Sequence, residues 1–199
     1  LMIDCIEQTV KNKLVIVLHG LESNTDQAYM KGAAKILSQN DFSVVAVNFR
    51  SCSGQPNLRY HSYHTGKTDD LDFIIKQVEK EYNEIYLLGF SLGGNLILNY
   101  LGEQKEDILP KIKKAMAISA PCHFYDTALH LIHTPSNIIY RKRFLTRLKN
   151  KLRDKVKIFP DKISLEGINE IKTLQDYDNY YTAPAHGFDN AMDYWTRCS

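Results

Sequence analysis

EIYLLGFSLGG, residues 84–94, decides how the rest of this 199-residue chain is read. Glu84–Gly89 opens as a short apolar run, the pattern of a buried strand. It runs directly into Gly89-Phe90-Ser91-Leu92-Gly93, a G-x-S-x-G pentad. Leu92–Gly102 then has the pattern of an amphipathic helix. Chance alone supplies the pentad in roughly a few per cent of chains this long, so its placement carries the inference. A strand that becomes a helix within five residues must turn sharply, and Ser91 stands at the tip of that turn. Gly89 and Gly93 let neighbouring backbone pass without Cβ clashes, and Gly94 extends the small-residue patch. Ser91 is also placed at a helix N-terminus, where N–H groups favour developing negative charge.

Outward from this stretch, short β-branched runs alternate with helical patterns. Strands are expected at Leu14–Leu18, Phe42–Phe49 and Lys113–Ser119, the last stopped by Pro121, and a further one at Leu1–Glu7. Helices are expected over Gln27–Gln39 and Asp70–Tyr82. Thr68 reads as the N-cap of the second helix, and Asp69-Asp70 as charges suited to its start. Such alternation predicts an α/β fold with a mostly parallel sheet flanked by helices. After Pro121 the pattern is helical and loop-like, and Val156–Phe159 is the one short strand candidate. The expected division is a core over residues 1–121 and a helical elaboration over residues 122–199.

Composition excludes several classes. The chain is 44% hydrophobic and 24% charged, which is ordinary for a folded domain and unlike a disordered one. The longest apolar run is Leu14–Leu18, far short of the about 20 residues a bilayer span needs. Leu1–Val10 carries Asp4 and Glu7 and lacks the apolar stretch of a signal peptide. A net charge of +2 is too small to argue for a nucleic-acid partner. Cys5, Cys52, Cys122 and Cys198 form no C-x-x-C pair, so free thiols in a reducing cytoplasm are the simplest reading.

A serine at such a turn is a nucleophile elbow, and acyl transfer there needs two backbone donors for the oxyanion. One follows the nucleophile and is the N–H of Leu92. The other comes from the loop after the first confident strand, His19-Gly20-Leu21-Glu22, and is the N–H of Leu21. His19 is expected to shape that loop as a hydrogen-bonded buried histidine rather than to act as a base.

The chain resembles the YheT-like branch of the α/β-hydrolases, related to eukaryotic abhydrolase-domain esterases. The resemblance rests on HGLES (19–23), NFRSCSGQPN (48–57), YHTGKTDDLDFII (63–75), LLGFSLGGNLILNYLGE (87–103), AISAPC (117–122) and TAPAHGFDNAMDYW (182–195). It implies a serine hydrolase acting on carboxylic esters, with acyl or lipid-like esters as substrate class, and a helical lid over residues 122–199. Departures are Ser23 and Ser51, where relatives often carry glycine, and His123-Phe124, where they often carry Asp-Leu. No metal or organic cofactor is implied, because nucleophile and oxyanion donors are protein groups.

A serine nucleophile also needs a base and an acid. Downstream histidines are His123, His130, His133 and His186, and His186 reads more readily as lid packing than as the base. Asp176, Asp178, Asp189 and Asp193 read as polar faces of loops and helices. The core strands that normally carry acid and base are not found, so both are expected beyond Ser199, and Lys113–Ser119 is expected to form an exposed sheet edge. The alternatives are an acyltransferase or thioesterase at the same serine, or a non-catalytic binding protein that retains the fold.

Arg141–Lys157 holds nine basic residues and one acidic residue. Phe144, Leu145, Leu148, Leu152 and Val156 share one helical face. Such a helix either lies on an anionic membrane or packs that face on the protein core. His61-Ser62-Tyr63-His64 lacks the further ligands of a metal site. Tyr177, Tyr180, Tyr181, Tyr194 and Trp195 line an acyl pocket on one reading and fill the lid core on the favoured one.

Overall fold

A computed structural model describes residues 1–198 of the chain. It divides into two compact units: residues 1–53 with 65–121, and residues 54–64 with those from 122 on.

The first unit is built on a five-stranded sheet. In chain order its elements are β1 (Met2–Ile6), β2 (Lys13–Leu18), α1 (Ala28–Gln39), β3 (Ser43–Asn48), α2 (Asp69–Val78), β4 (Glu84–Phe90), α3 (Leu92–Gln104) and β5 (Ile112–Ile118). The strand order is β1-β3-β2-β4-β5. β3, β2, β4 and β5 run parallel, and β1 pairs antiparallel on the outside of β3. β3 is buried along its whole length and β2 from Leu14 on, which explains their unbroken apolar sequences. Met30 of α1 is buried with Val15, Val17, Val44 and Ala46, and Leu37 packs against that cluster. Leu71, Ile74 and Ile75 form the buried face of α2, as their spacing predicts.

β5 is the other edge of the sheet, and most of it is exposed, including Met116 and Ile118. An exposed parallel edge is uncommon, because such strands are normally covered and paired.

Two details of this unit differ from the sequence reading. Thr68 occupies the N-cap position of α2 in a helical conformation and makes no cap bond. Its hydroxyl instead donates to the Glu103 carboxylate on α3 at 2.6 Å, so a tertiary contact takes the side chain. Helix α2 also stops at Val78, short of Tyr82. Lys111 Nζ donates to the carbonyls of Glu79 and Tyr82, providing partners for backbone that has left the helix.

The second unit is helical. It contains α4 (Phe124–His133), α5 (Ile138–Val156), α6 (Leu165–Glu170), α7 (Leu174–Tyr177), a π-helical turn at Asp178–Thr182, α8 (Ala183–His186) and α9 (Ala191–Arg197). Val156–Phe159 is not a strand: Val156 closes α5, and the amides of Ile158 and Phe159 both donate to the carbonyl of Lys155. One apolar cluster gathers Leu148, Leu152, Ile163, Ile168, Ile171, Tyr177 and Tyr181. Another gathers Ala128, Ala191, Tyr194, Trp195 and Cys198. Tyr177, Tyr181, Tyr194 and Trp195 thus fill cores in this unit.

Residues 54–64 group with the helices, unlike the expected break at 121. A buried cation is among the contacts that hold them there. Lys155 Nζ donates to the carbonyls of Arg59 and Tyr60 at 2.6 and 2.9 Å, and the Tyr181 hydroxyl also donates to Tyr60.

Candidate active site

Ser91 sits between β4 and α3 with φ 52° and ψ −119°. This is a left-handed region that costs a non-glycine residue of order 1–3 kcal/mol. The turn is held on both sides. The Ser91 amide donates to the carbonyl of Ile118 at the end of β5 at 2.8 Å, and its carbonyl accepts from the Asn95 amide at 3.0 Å. The Ser91 side chain is left exposed.

The glycines are required by close backbone approach. A Cβ on Gly89 would lie 2.4 Å from the Gly93 carbonyl oxygen. A Cβ on Gly93 would lie 2.6 Å from the His19 carbonyl oxygen and 2.7 Å from that of Leu18. β4, α3 and the end of β2 therefore meet at the serine with no room for a methyl group.

Because Gly93 abuts His19, the loop after β2 is brought to Ser91. A Cβ on Gly20 would stand 3.8 Å from Ser91 Oγ. His19 is fully buried, and its Nε2 accepts from the amide of Phe49 at 3.2 Å. That amide can only donate, so the imidazole proton is on Nδ1, where it donates to the Gly20 carbonyl at 2.7 Å. Both ring nitrogens are thereby engaged, and His19 shapes the loop.

The loop has a second support that the sequence reading missed. The Gly20 amide donates to the Tyr29 hydroxyl, which also bonds Ser23 Oγ at 2.7 Å. The Tyr29 ring lies edge-on to Phe90 with centroids 4.9 Å apart. Tyr29 shows in the sequence only as one polar ring in a helical segment. Asn95 was also missed. It is buried, donates from Nδ2 to the Pro121 carbonyl at 2.7 Å, and accepts from Asn99 Nδ2 at 2.9 Å. The i, i+4 spacing of Asn95 and Asn99 was the available signal.

The N–H of Leu92 is the first of α3, one of the four that a helix leaves without an internal acceptor. The N–H of Leu21 makes no hydrogen bond among the described residues. The structure thus brings Ser91, Leu92, Gly89 and Gly93 together, with the Gly20 end of the Leu21 loop beside them.

Elsewhere in the same unit, Arg50 Nε and Nη2 donate to the two carboxylate oxygens of Asp70 at 2.7 and 2.5 Å. The pair is mostly buried and ties the segment after β3 to the start of α2. The hydrogen bonds it donates to the Asp70 carboxylate hold the Arg50 guanidinium above its ordinary pKa despite burial.

The remaining candidates lie in the helical unit and have local roles. His123 caps α4, its Nδ1 facing the Asp126 amide and carboxylate. His186 closes α8, with its ring centroid 4.4 Å from that of His64. Asp176 forms a capping box with Thr173. Burial opposes its charge, but the amides of Lys172 and Thr173 outweigh that and hold its carboxyl below the usual range. Asp178 accepts from Trp195 Nε1 at 2.8 Å, and burial pushes its pKa up to about 6. Asp193 accepts from the Asp189 amide and from Arg197. Ser91 Oγ makes no hydrogen bond among the described residues. The one histidine of the α/β unit is His19, whose ring is engaged.

A family model described as serine aminopeptidase, S33, matches residues 9–179. The chain belongs to the S33 family of hydrolases. Among curated relatives, YheT of Escherichia coli, named as a candidate esterase, is 28% identical over 189 residues, covering 93% of this chain and 55% of that protein. The monoacylglycerol lipase of Saccharomyces cerevisiae is 27% identical over 195 residues, covering 94% of this chain and 43% of the lipase. The chain spans about half the length of the curated relatives it matches. A solved esterase from Pyrococcus furiosus superposes with a TM-score of 0.53 at 20% identity, covering 85% of this chain and 57% of that one. Mouse alpha/beta hydrolase domain-containing protein 10 gives 0.51 at 14% identity, covering 84% and 63%. These likenesses show the α/β-hydrolase fold, and S33 membership with the YheT match bears out the resemblance read from the sequence. No helix among the described residues is long and apolar enough to cross a membrane.

Proposed function

We propose that the protein hydrolyses carboxylic esters of the acyl or lipid-like class through an acyl-enzyme on Ser91. The observation that carries this is the exposed Ser91 side chain on a strained turn, packed against the Gly20 loop. Strain of this kind persists only where surrounding structure enforces it, and it concentrates at working sites. The names of the relatives, an esterase and a monoacylglycerol lipase, support the substrate class.

In this reaction Ser91 Oγ attacks the ester carbonyl carbon while its proton passes to a general base. The carbonyl electron pair moves onto oxygen, and the N–H groups of Leu21 and Leu92 hold that oxyanion. Collapse expels the alcohol, which takes up the proton, and leaves the acyl group on Ser91. Water repeats the sequence and releases the acid. Base and acid are proposed to lie beyond Ser199, because His19 is engaged and no other histidine belongs to the α/β unit.

The test compares hydrolysis of p-nitrophenyl esters by the 199-residue chain and by a protein that continues into the sequence following it. The longer protein is expected to turn over, and Ser91→Ala is expected to cost about 10⁶-fold in kcat. The short chain is expected to retain at most about 10³–10⁴-fold over water. Unchanged turnover in Ser91→Ala would refute the role of Ser91. An inactive longer protein that still binds an ester analogue would favour a binding module.

A further inference from the structure

Helix α5 divides its apolar residues between two uses. Leu148 and Leu152 are buried in the helical unit's own core, with Leu145 and Val156 packed against it. The apolar stripe evident in the sequence is therefore occupied inside the unit. The first turn of α5 is different. Ile138, Ile139 and Tyr140 are 46%, 76% and 58% exposed, and Arg141-Lys142-Arg143 follows them directly.

Beside this turn is a cavity of about 300 Å³. Ile132, Ile138, Leu145 and Leu174 supply apolar wall, Arg141, Lys142 and Lys172 supply charge, and no acidic residue among the described residues lines it. Arg141 and Lys142 form no hydrogen bond or ion pair among the described residues. Cations are crowded further along the helix too: burial, then Lys172 and Arg153, depress the Lys149 ammonium.

We propose that the first turns of α5 dock the protein on an anionic membrane surface, with Ile138, Ile139 and Tyr140 entering the interface and the Arg141–Lys142–Lys172 cavity seating a lipid phosphate. Charge complementarity selects this partner. Residues 141–157 carry nine of the chain's 25 basic side chains and one acid, while the whole protein is only +2. The positive field is thus local, and the exposed apolar residues adjoin it, an arrangement that suits the boundary between headgroups and acyl chains.

The test is flotation of the 199-residue chain with phosphatidylcholine vesicles, with and without phosphatidylglycerol. It does not depend on ester turnover. Binding is expected only with phosphatidylglycerol and is expected to weaken with added salt. Arg141→Glu and Lys142→Glu are each expected to lower partitioning about 30-fold, since each reverses one charge near the surface. Ile139→Asp, at a side chain that packs on little, is expected to lower it about tenfold or more. Lys80→Glu, with the same charge change on the other unit, is expected to leave it within about threefold, and circular dichroism melts check that each variant folds. Equal binding to both vesicle types, no binding, or insensitivity to all three α5 variants would overturn the proposal. Inorganic phosphate bound as tightly as the vesicles, with no dependence on Ile139, would overturn it in favour of a soluble-anion site.

Discussion

A Cβ atom on Gly20 would stand 3.3 Å from the Cβ of Ser91, whereas one on Gly93 would stand 2.6 Å from the backbone oxygen of His19. The two distances predict different outcomes for the same substitution. At Gly20 the neighbours are Ser91 Cβ at 3.3 Å and the Phe90 carbonyl oxygen at 3.5 Å, so a shift of a few tenths of an ångström is enough to relieve the contact. Gly20→Ala is expected to cost under about 1 kcal/mol of stability. At Gly93 the neighbours are backbone carbonyls at the end of β2 and just past it, both closer than 3 Å, so Gly93→Ala is expected to cost about 3 kcal/mol or more. Urea titration of both variants checks this. Similar midpoints for the two would contradict the packing described around the elbow.

Strain at Ser91 gives a second prediction. Glycine relieves a positive φ but adds unfolded-state entropy, a cost of about 0.5–1 kcal/mol. Against strain of order 1–3 kcal/mol, Ser91→Gly is expected to stabilise the chain by about 1 kcal/mol. Ser91→Ala keeps the strained backbone and is expected to gain nothing. Ser51 also has positive φ, 64°. Ser51→Gly is expected to stabilise by a similar amount and, unlike Ser91→Gly, to leave any ester hydrolysis by the longer protein intact. Thermal melts of the three variants decide it, and a lower Tm for Ser91→Gly than for Ser91→Ala would show that the turn is not strained.

The Arg50–Asp70 pair gives a third. Both side chains are largely buried and joined by two short bonds. Removing one partner leaves a charge without its counter-ion, so Asp70→Asn and Arg50→Met are each expected to cost about 3 kcal/mol. The double variant is expected to cost less than the sum, because the second change removes the stranded charge. Additive losses in a double-mutant cycle would mean the ion pair is not what holds the segment after β3 to α2.

What could be read from the sequence, and what could not, follows from the range of the interactions. The elbow was legible because Gly89, Gly93 and the flanking apolar periods all respond to one local turn. That β2, β3, β4 and β5 form a parallel sheet was implied by their alternation with helices, whereas their order β3-β2-β4-β5 was not. The antiparallel pairing of β1 was not, because Met-Ile-Asp-Cys-Ile is equally compatible with either direction. Thr68 looked like a cap because its local sequence permits one, and the Glu103 contact that claims its hydroxyl is 35 residues away. Lys155 is one of nine basic residues in its segment, and its buried acceptors at Arg59 and Tyr60 lie 96 and 95 residues back. Nothing local marks it, so the grouping of residues 54–64 with the helices had no sequence signature.

Asp178 supplies the last prediction. Its carboxyl is buried in the helical unit, and burial raises its pKa from 3.8 to about 6, although hydrogen bonds from Thr182 and Trp195 favour the charged form. Between those two values the folded state holds the proton while the unfolded state releases it. Stability contributed at this site therefore falls as pH rises from about 4 to about 6, by about 3 kcal/mol, and stays level above that. Asn at this position still accepts from Trp195 Nε1 and carries no charge to bury. Asp178→Asn is thus expected to be more stable than the parent at pH 7 by up to about 3 kcal/mol and indistinguishable from it below about pH 4. Carboxylates held low, such as Asp69 and Asp176, shift both proteins alike and drop out of the difference. The chain has one tryptophan, Trp195, and it touches Asp178, so its fluorescence reports unfolding of this unit directly. Denaturation curves at pH 4 and pH 7 that show the same difference, or a parent more stable than the variant at pH 7, would mean that Asp178 is ionised at no cost in the folded protein.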